Sequence, residues 1–295
     1  EDLTGLARRQ RLYFTNYLPP PLDLSMDISD LADVARQMVA PGKGIIAIDE
    51  SAKTIKKRFD GVGLQCTEET RRAYREMLLT TPNLGDHISG AILYDETLRQ
   101  STKTGKRFVD VMNEAGILPG IKVDLGPVGL AGFPGEQVTQ GLDGLRERLK
   151  EYAGLGAKFA KWRAVITIGE DMPSAACIDA NCHALARYAA LCQEAGIVPI
   201  VEPEVLMDGD HDIETCFDVT EATLRSLFNA MYEHNVFLEG SILKASMVIS
   251  GKDDGGPARR SVWKSEGGSC IEWREVPRTR LAGSGRCSRS ARRAS

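Results

Sequence analysis

The stretch Gly196-Ile-Val-Pro-Ile-Val-Glu-Pro-Glu204 combines three signals within nine residues. Gly196 is the kind of residue that ends a helix, and the apolar run after it is typical of a strand buried on both faces. The run ends in Glu202 and Glu204, whose i, i+2 spacing puts both carboxylates on one face of a strand. We therefore expect a buried strand with an acidic carboxyl end.

Similar apolar runs recur between about Asp27 and Ser250, separated by amphipathic stretches, and this alternation predicts βαβ units with a parallel sheet. Apolar residues at helical spacing predict helices around Leu31, Leu145 and Leu227, and Thr67 predicts a helix N-cap. Including Ile197–Glu202, there are six predicted strands. The other five are Gly44–Asp49, Gly90–Tyr94, Gly120–Asp124, Ala157–Trp162 and Val236–Leu243.

Charged residues end or closely follow five of these runs: Asp49, Lys122, Asp124, Lys161, Arg163, Glu202, Glu204 and Lys244. Any one of them is more often a solvated loop residue or half of an ion pair than a functional group. Because the carboxyl ends of parallel strands meet at one mouth, their recurrence favours a single site there.

Lysines that lie close together and partly desolvated have lowered pKa values, so one of them can be a neutral amine near pH 7. Such an amine attacks a carbonyl carbon to form a Schiff base. Lys244 and Lys161 are the natural pair, and Glu202 or Glu204 could move the protons as the carbinolamine loses water.

Composition excludes several other classes of protein. With 37 basic and 41 acidic residues the formal charge is −4, which argues against binding to a nucleic-acid backbone. No apolar stretch approaches the roughly 20 residues of a spanning helix, and the charged N-terminal residues do not resemble a secretory signal. Seven cysteines without a C-x-x-C pair argue against a disulfide framework and a zinc ribbon. We expect an intracellular protein with reduced thiols.

The acidic cluster Asp208-Gly-Asp-His-Asp212 has two interpretations. It could hold a divalent cation, but a polar turn after a strand explains it at least as well. The chain has four histidines and no His-rich set of the kind that binds zinc. We expect neither a metal ion nor another cofactor.

The alternating pattern stops after Asp253, so we expect a domain over residues 1–253 and a different kind of sequence over residues 254–295. This tail carries nine Arg and one Lys against one Asp and three Glu, and it shows no apolar periodicity. Such composition predicts disorder. A solvated or non-native end, of the kind that a frameshift produces, is favoured over contact with nucleic acid or an acidic membrane.

Several motifs together resemble class I fructose-1,6-bisphosphate aldolase from roughly Leu12 to Ser250. They are GIIAIDESAKTIKKR (44–58), GIKVD (120–124), AKWR (160–163), GIVPIVEPE (196–204), DGDHD (208–212) and LEGSILKASM (238–247). The resemblance implies an α/β fold of the (β/α)₈ TIM-barrel type. Because six strands are recognisable, we expect an incomplete barrel whose two C-terminal strands are replaced by the basic low-complexity tail.

The resemblance also implies a role for each matching residue in the reversible cleavage of fructose 1,6-bisphosphate to dihydroxyacetone phosphate and glyceraldehyde 3-phosphate. Lys244 matches the Schiff-base lysine, Glu202 the proton-transfer glutamate, Asp49 the aspartate that handles the C4 hydroxyl proton, and Lys161 the lysine that polarises the intermediates. Glu204 matches the second glutamate of its motif. The basic residues expected to bind substrate are Lys122, Arg58, Arg71 and Arg163.

The tail departs from the family, because the serine segment and arginine that bind a phosphate and the C-terminal tyrosine have no counterpart after Asp253. An open six-strand sheet would also leave two unpaired edges. We therefore expect little aldolase activity from the 295-residue chain. One alternative is a catalytically impaired barrel remnant that acts as a binding protein, and another is a Schiff-base aldolase for a different ketose.

The resemblance implies a sugar bisphosphate as the substrate, and no nucleic acid or membrane as a partner. It also implies a homotetramer if the barrel is complete. The expected compartment is the cytoplasm, with the plastid stroma as the alternative.

Overall fold

A parallel sheet with intervening helices forms the frame of the molecule. The computed structural model describes residues 28–254 and the two-residue strand 280–281. The strands are β1 (Gly44–Ile48), β2 (Ile88–Leu93), β3 (Leu118–Lys122), β4 (Gly126–Gly129), β5 (Gln137–Gln140), β6 (Phe159–Ile166), β7 (Val198–Val205), β8 (Ile242–Leu243) and β9 (Arg280–Leu281). The helices are α1 (Ile28–Met38), α2 (Ala52–Asp60), α3 (Glu68–Leu79), α4 (Leu84–His87), α5 (Asp95–Arg99), α6 (Phe108–Glu114), α7 (Leu145–Leu155), α8 (Ala175–Glu194) and α9 (Ile213–Glu233).

The main sheet has the strand order β1-β2-β3-β6-β7-β8-β9, and every neighbouring pair is parallel. Each of the six predicted strands contributes a strand to it. The strands follow one another in chain order around an incomplete barrel, interrupted by the antiparallel β4–β5 hairpin. Since all seven strands run the same way, their carboxyl ends lie on one side.

Three features differ from the sequence prediction. Only Ile242–Leu243 of the predicted strand Val236–Leu243 is a strand, and Leu238–Gly240 is a short 3₁₀ helix. The chain there passes so close to α1 that a Cβ on Gly240 would lie 2.9 Å from that of Leu31. The β4–β5 hairpin was not predicted, since its four-residue strands are too short to show a period. Arg280–Leu281 pairs with β8 and adds a seventh, two-residue strand within the stretch predicted to be disordered. The described sheet still ends in two edge strands, now β1 and β9, as an open sheet was expected to do. The rest of the predicted disordered tail lies outside the described residues.

The predicted helix signals are confirmed. The Thr67 hydroxyl accepts a hydrogen bond from the Thr70 amide at 3.1 Å and caps α3. Gly196, just after α8, has a φ of 71°, which suits glycine at the residue that ends a helix. The structure assigns helices at all three predicted stripes: α1, α7 and α9.

Two apolar layers lie on either side of the sheet. Phe159, Ile200 and Ile242 are buried inside the barrel and pack with Leu31 and Met38 of α1. On the outer side the helices pack on the sheet: the ring of Tyr188 on α8 lies 5.5 Å from that of Trp162 on β6. Within the described part of the chain, none of the helices has the length and apolar character needed to span a bilayer.

Candidate active site

Charged residues stand directly above the apolar interior of the barrel on three neighbouring strands or strand ends. The pairs, each two residues apart, are Phe159 with Lys161, Ile200 with Glu202, and Ile242 with Lys244. Because residues at i and i+2 of a strand share a face, the charged member points to the same side as its buried apolar partner. The strand period therefore brings an amine, a carboxylate and a second amine together at the barrel mouth.

These three charged groups and Asp49 form one continuous chain of contacts. Lys244 Nζ donates to Glu202 Oε1, and Glu202 Oε2 lies 3.3 Å from Lys161 Nζ. Lys161 Nζ in turn donates to Asp49 Oδ2 at 3.0 Å. Cations and anions thus alternate from the end of β8 across β7 and β6 to the end of β1, as the convergence of strand ends predicts.

The four groups differ sharply in exposure. The side chain of Lys244 is 41% exposed, whereas those of Glu202, Lys161 and Asp49 are 4%, 8% and 13% exposed. A cavity of about 160 Å³ opens beside Lys244 and Glu202 and is also lined by Ser246 and Met247. Lys244 and Glu202 therefore line a space that a small molecule can enter, while Lys161 and Asp49 are not among the residues that line it.

Lys161 is the fixed cation of this chain of groups. Burial alone would lower its pKa, but the carboxylates of Asp49, Glu202 and Asp124 outweigh burial and raise the pKa above the ordinary value. The expectation that clustering lowers the pKa of these lysines is therefore wrong for Lys161. Its nearest charged neighbours are carboxylates rather than the other lysine.

The remaining charges of the mouth form two further pairs. Lys122 Nζ donates to Asp124 Oδ1 at 2.6 Å, and Arg163 Nε donates to Glu204 Oε2. Burial is the largest single influence on the pKa of Arg163 and lowers it, but the bond with Glu204 and the charges of Glu204, Glu202 and Asp124 together raise the pKa above its ordinary value. The two pairs are linked, because the Asp124 carboxylate also lies 3.4 Å from the Arg163 backbone nitrogen. Both Lys122 and Arg163 are therefore already paired with carboxylates of the protein itself.

Arg58 and Arg71, the other two predicted substrate-binding residues, pair elsewhere. Arg58 donates to the buried Glu50, next to Asp49, and its own side chain is 60% exposed. Arg71 binds Glu96 at 2.9 Å. The structure brings neither guanidinium into ion-pair contact with the four-group chain, and their substrate-binding role stays a prediction.

The acidic cluster 208–212 works as a turn and a helix cap. Asp212 Oδ1 accepts from the Thr215 amide at 2.8 Å at the start of α9, and Asp208 pairs with Lys252 at 2.9 Å. Among the residues that the structure describes, no group of three or more His, Cys, Asp or Glu side chains is arranged to hold a metal ion.

Sequence reasoning missed a layer of side chains that grip the strand ends. Arg75 on α3 binds the backbone on both sides of Asp49. Thr139 of the β4–β5 hairpin donates to the carbonyl of Arg163 at 2.8 Å. A signal for Arg75 was present, because this arginine stands four residues before the buried Leu79 on the apolar face of its helix.

Comparison with known proteins gives a consistent result. The family model described as "Fructose-bisphosphate aldolase class-I" matches residues 30–265. A protein of Xanthomonas campestris pv. campestris named "Probable fructose-bisphosphate aldolase class 1" is 73% identical over 227 residues, which cover 77% of this chain and 68% of that protein. "Fructose-bisphosphate aldolase 4, cytosolic" of Arabidopsis thaliana is 56% identical over 222 residues, 75% of this chain and 56% of the relative.

A solved structure supports the same fold. Fructose-bisphosphate aldolase from Plasmodium falciparum, crystallised with TRAP and a small-molecule inhibitor, matches with a TM-score of 0.77 at 47% sequence identity. The match covers 78% of this chain and 67% of that one. The predicted fold class, an incomplete aldolase-type TIM barrel, is confirmed.

Proposed function

This chain belongs to the class I fructose-bisphosphate aldolase family of lyases, and we propose that Lys244, Glu202, Lys161 and Asp49 divide the chemistry of its reaction among them. The observation that carries the proposal is the continuous contact chain Lys244–Glu202–Lys161–Asp49, with the lysine of β8 at the exposed end. The substrate is a sugar bisphosphate, and the reaction is the reversible cleavage of fructose 1,6-bisphosphate.

Lys244 is the nucleophile. Its neutral amine adds to the C2 ketone of the open-chain sugar to form a carbinolamine, and loss of the hydroxyl as water gives an iminium. Glu202 Oε1, in contact with Lys244 Nζ, takes the proton that Lys244 must lose to become a neutral amine and passes it to the carbinolamine hydroxyl, which leaves as water. When water later hydrolyses the product iminium, Glu202 takes a proton from that water and returns it to the Lys244 nitrogen. Lys161 Nζ lies 3.3 Å from the other oxygen of Glu202 and fixes the position of that carboxylate.

Asp49 acts at the bond that breaks. Its carboxylate takes the proton of the C4 hydroxyl, so that C4 becomes the aldehyde of glyceraldehyde 3-phosphate while the electrons of the C3–C4 bond flow into the iminium. The resulting enamine is protonated at C3 and hydrolysed to dihydroxyacetone phosphate. Lys161 is 3.0 Å from Asp49 and polarises the intermediates.

Glu204 and the flanking cations set the position of the substrate. Arg163 and Lys122 are held by Glu204 and Asp124 at the mouth, and Arg58 and Arg71 extend the basic set outward. Each phosphate of the substrate carries nearly two negative charges, which suits guanidinium and ammonium partners. When the sugar binds, one of its phosphate or hydroxyl oxygens takes the place of some of the contacts that each cation makes with its carboxylate partner.

Borohydride reduction in the presence of dihydroxyacetone phosphate tests the nucleophile in the 295-residue chain, since it needs one adduct per site rather than turnover. We expect peptide mapping to place the added mass on Lys244, and Lys244→Arg to abolish it. The matched control is Lys252→Arg, which changes an exposed lysine paired with Asp208 and should label like the parent. An adduct on another lysine, or none on the parent, would favour the impaired binding remnant over the enzyme.

Two further properties follow from the family. We propose a cytoplasmic protein that binds neither nucleic acid nor membrane, and that forms a homotetramer only where the barrel is complete; a relative named as a cytosolic enzyme supports the compartment. Sedimentation of the purified chain checks the oligomeric state. Parallel assays with fructose 1-phosphate and the bisphosphate check the choice of ketose, and we expect the bisphosphate to be preferred.

A further inference from the structure

Arg75 on α3 is almost completely buried, with 2% of its surface exposed. Its guanidinium also lies 5.4 Å from the centroid of the Tyr74 ring, and it makes three hydrogen bonds, all with residues next to Asp49. Nε donates to the carbonyl of Ile48 at 3.1 Å, and Nη2 donates to the carbonyl of Glu50 and to the Glu50 carboxylate, each at 3.1 Å. One planar group therefore holds the backbone carbonyls of the residues before and after Asp49.

The backbone at Asp49 needs such a clamp. The ladder between β1 and β2 ends with the pair Ile48–Leu93, one residue before Asp49. Among the described strands, β1 is paired on one side only, by β2. Arg75 thus fixes the chain at the point where pairing within the sheet stops.

A buried arginine is costly to keep unless its donors are satisfied. Burial lowers the pKa of Arg75, and the Glu50 carboxylate acts against that effect. The rigid fork of a guanidinium reaches two carbonyls in a fixed geometry, which a lysine ammonium cannot reproduce. The arrangement therefore sets geometry rather than merely balancing charge.

We propose that Arg75 is a positioning residue for Asp49, holding its backbone so that the carboxylate meets Lys161 and the C4 hydroxyl of the substrate. The inference rests on the proposed role of Asp49 in cleavage. Arg75 itself touches neither the substrate nor the reacting atoms. A misplacement of about 1 Å can cost on the order of 100-fold in rate, so loss of the clamp should be visible in the cleavage step.

The test compares Arg75→Lys with Asp49→Asn in the 295-residue chain. Arg75→Lys keeps the charge and removes the fork, so any change does not come from a lost charge. We expect single-turnover cleavage of fructose 1,6-bisphosphate to slow by roughly 10- to 100-fold, while the borohydride-trapped adduct of dihydroxyacetone phosphate on Lys244 stays within about twofold of the parent. A purely structural role would reduce both together.

A second readout needs no cleavage. Lys161 owes part of its raised pKa to Asp49, so a displaced carboxylate should lower that pKa and increase the neutral fraction of the amine. At pH 9 we expect a small amine-reactive compound to modify the Lys161 amine at least several times faster in Arg75→Lys and in Asp49→Asn than in the parent. Lys158, exposed at the other end of β6, is the internal reference.

The matched control is Arg72→Lys. Arg72 lies on the same helix and binds Glu69 and Glu76, so both readouts should stay at the parent level. If Asp49→Asn changes both readouts and Arg75→Lys changes neither, the inference is wrong while the proposed function stands. If Asp49→Asn itself changes neither, the proposed role of Asp49 fails first. Should cleavage by the parent be too slow to follow, the reactivity of Lys161 decides.

Discussion

Two layers of the barrel interior, two residues apart on the same strands, are built on opposite principles. The lower layer contains Phe159, Ile200 and Ile242, packed with Leu31 and Met38 of α1. The upper layer contains Lys161, Glu202 and Lys244, joined by charge. The same backbone and the same strand pairing thus support a packed apolar layer and a charged mouth. The two layers differ in the interactions that stabilise their side chains.

The lower layer depends on shape. The Phe159 ring has no exposed surface, and it fills the space left by Gly90 and Gly120, since a Cβ on Gly120 would lie 2.2 Å from ring atoms. The upper layer depends on charge balance, because Lys161 is buried among carboxylates. The comparison teaches that stability should be lost mainly by changes in the lower layer and catalysis mainly by changes in the upper one.

The largest expected effect is on the stability of the lower layer. Phe159→Ala should reduce the free energy of unfolding by about 3–5 kcal/mol, since it removes a buried ring and leaves a cavity that the two glycines cannot fill. Urea unfolding followed by circular dichroism measures it. The control Phe133→Ala changes a ring that is already 37% exposed and should cost less than about 1.5 kcal/mol. Equal losses from the two substitutions would contradict the assignment of Phe159 to a packed layer.

The next effect is on catalysis in the upper layer. Lys161→Met should slow single-turnover cleavage by on the order of 10²- to 10³-fold, the scale of losing one charged stabiliser of a transition state. The same substitution at Lys158, exposed at the opposite end of β6, is the matched control and should leave cleavage unchanged. Rates are compared per folded molecule from circular dichroism. Cleavage by Lys161→Met within threefold of the parent would remove Lys161 from the mechanism.

The two layers also differ in how far the sequence predicted them. The apolar runs and the i, i+2 spacing were enough to place Lys161, Glu202 and Lys244 at one mouth, because strand geometry fixes the direction of each side chain. The same reasoning failed for the electrostatics of Lys161. Which of its neighbours would be closest depends on side-chain contacts across strands, and a linear pattern does not contain them.

Contacts made from helices were the least predictable. The ion pairs of Arg58 with Glu50 and of Arg71 with Glu96 were not predicted, because the face that a helix presents depends on how it packs. The 3₁₀ turn before β8 was missed for a similar reason: close packing of Gly240 against α1 overrides the β-branched character of the run. The spacing of residues along a strand predicts which side chains share a face of the sheet. The contacts made by helices and connecting turns depend on tertiary packing.

The smallest expected effect is on the pH dependence of stability. Lys161 and its carboxylate neighbours in the upper layer should stabilise the fold less at alkaline pH. The pKa of Lys161 is raised in the folded protein above its ordinary value of 10.5. The stabilisation from its carboxylate neighbours is therefore fully present below about pH 10.5 and is lost as pH rises through the folded-state pKa. Burial also raises the pKa of Tyr188, so the fold loses stability over a similar alkaline pH range as the unfolded chain ionises this tyrosine. This loss is the same in the parent and in the variant.

The measurement is therefore a difference: urea unfolding of the parent and of Lys161→Met at several pH values from 8 to about 11. The gap in free energy of unfolding between the two proteins should be constant up to about pH 10 and narrow above it, because the parent alone loses the Lys161 proton. Ile200→Val, a change confined to the lower layer, should give a gap that does not depend on pH. A constant gap for Lys161→Met as well would mean that the folded protein does not hold this proton more tightly than the unfolded chain, and the two layers would then differ in packing but not in electrostatics.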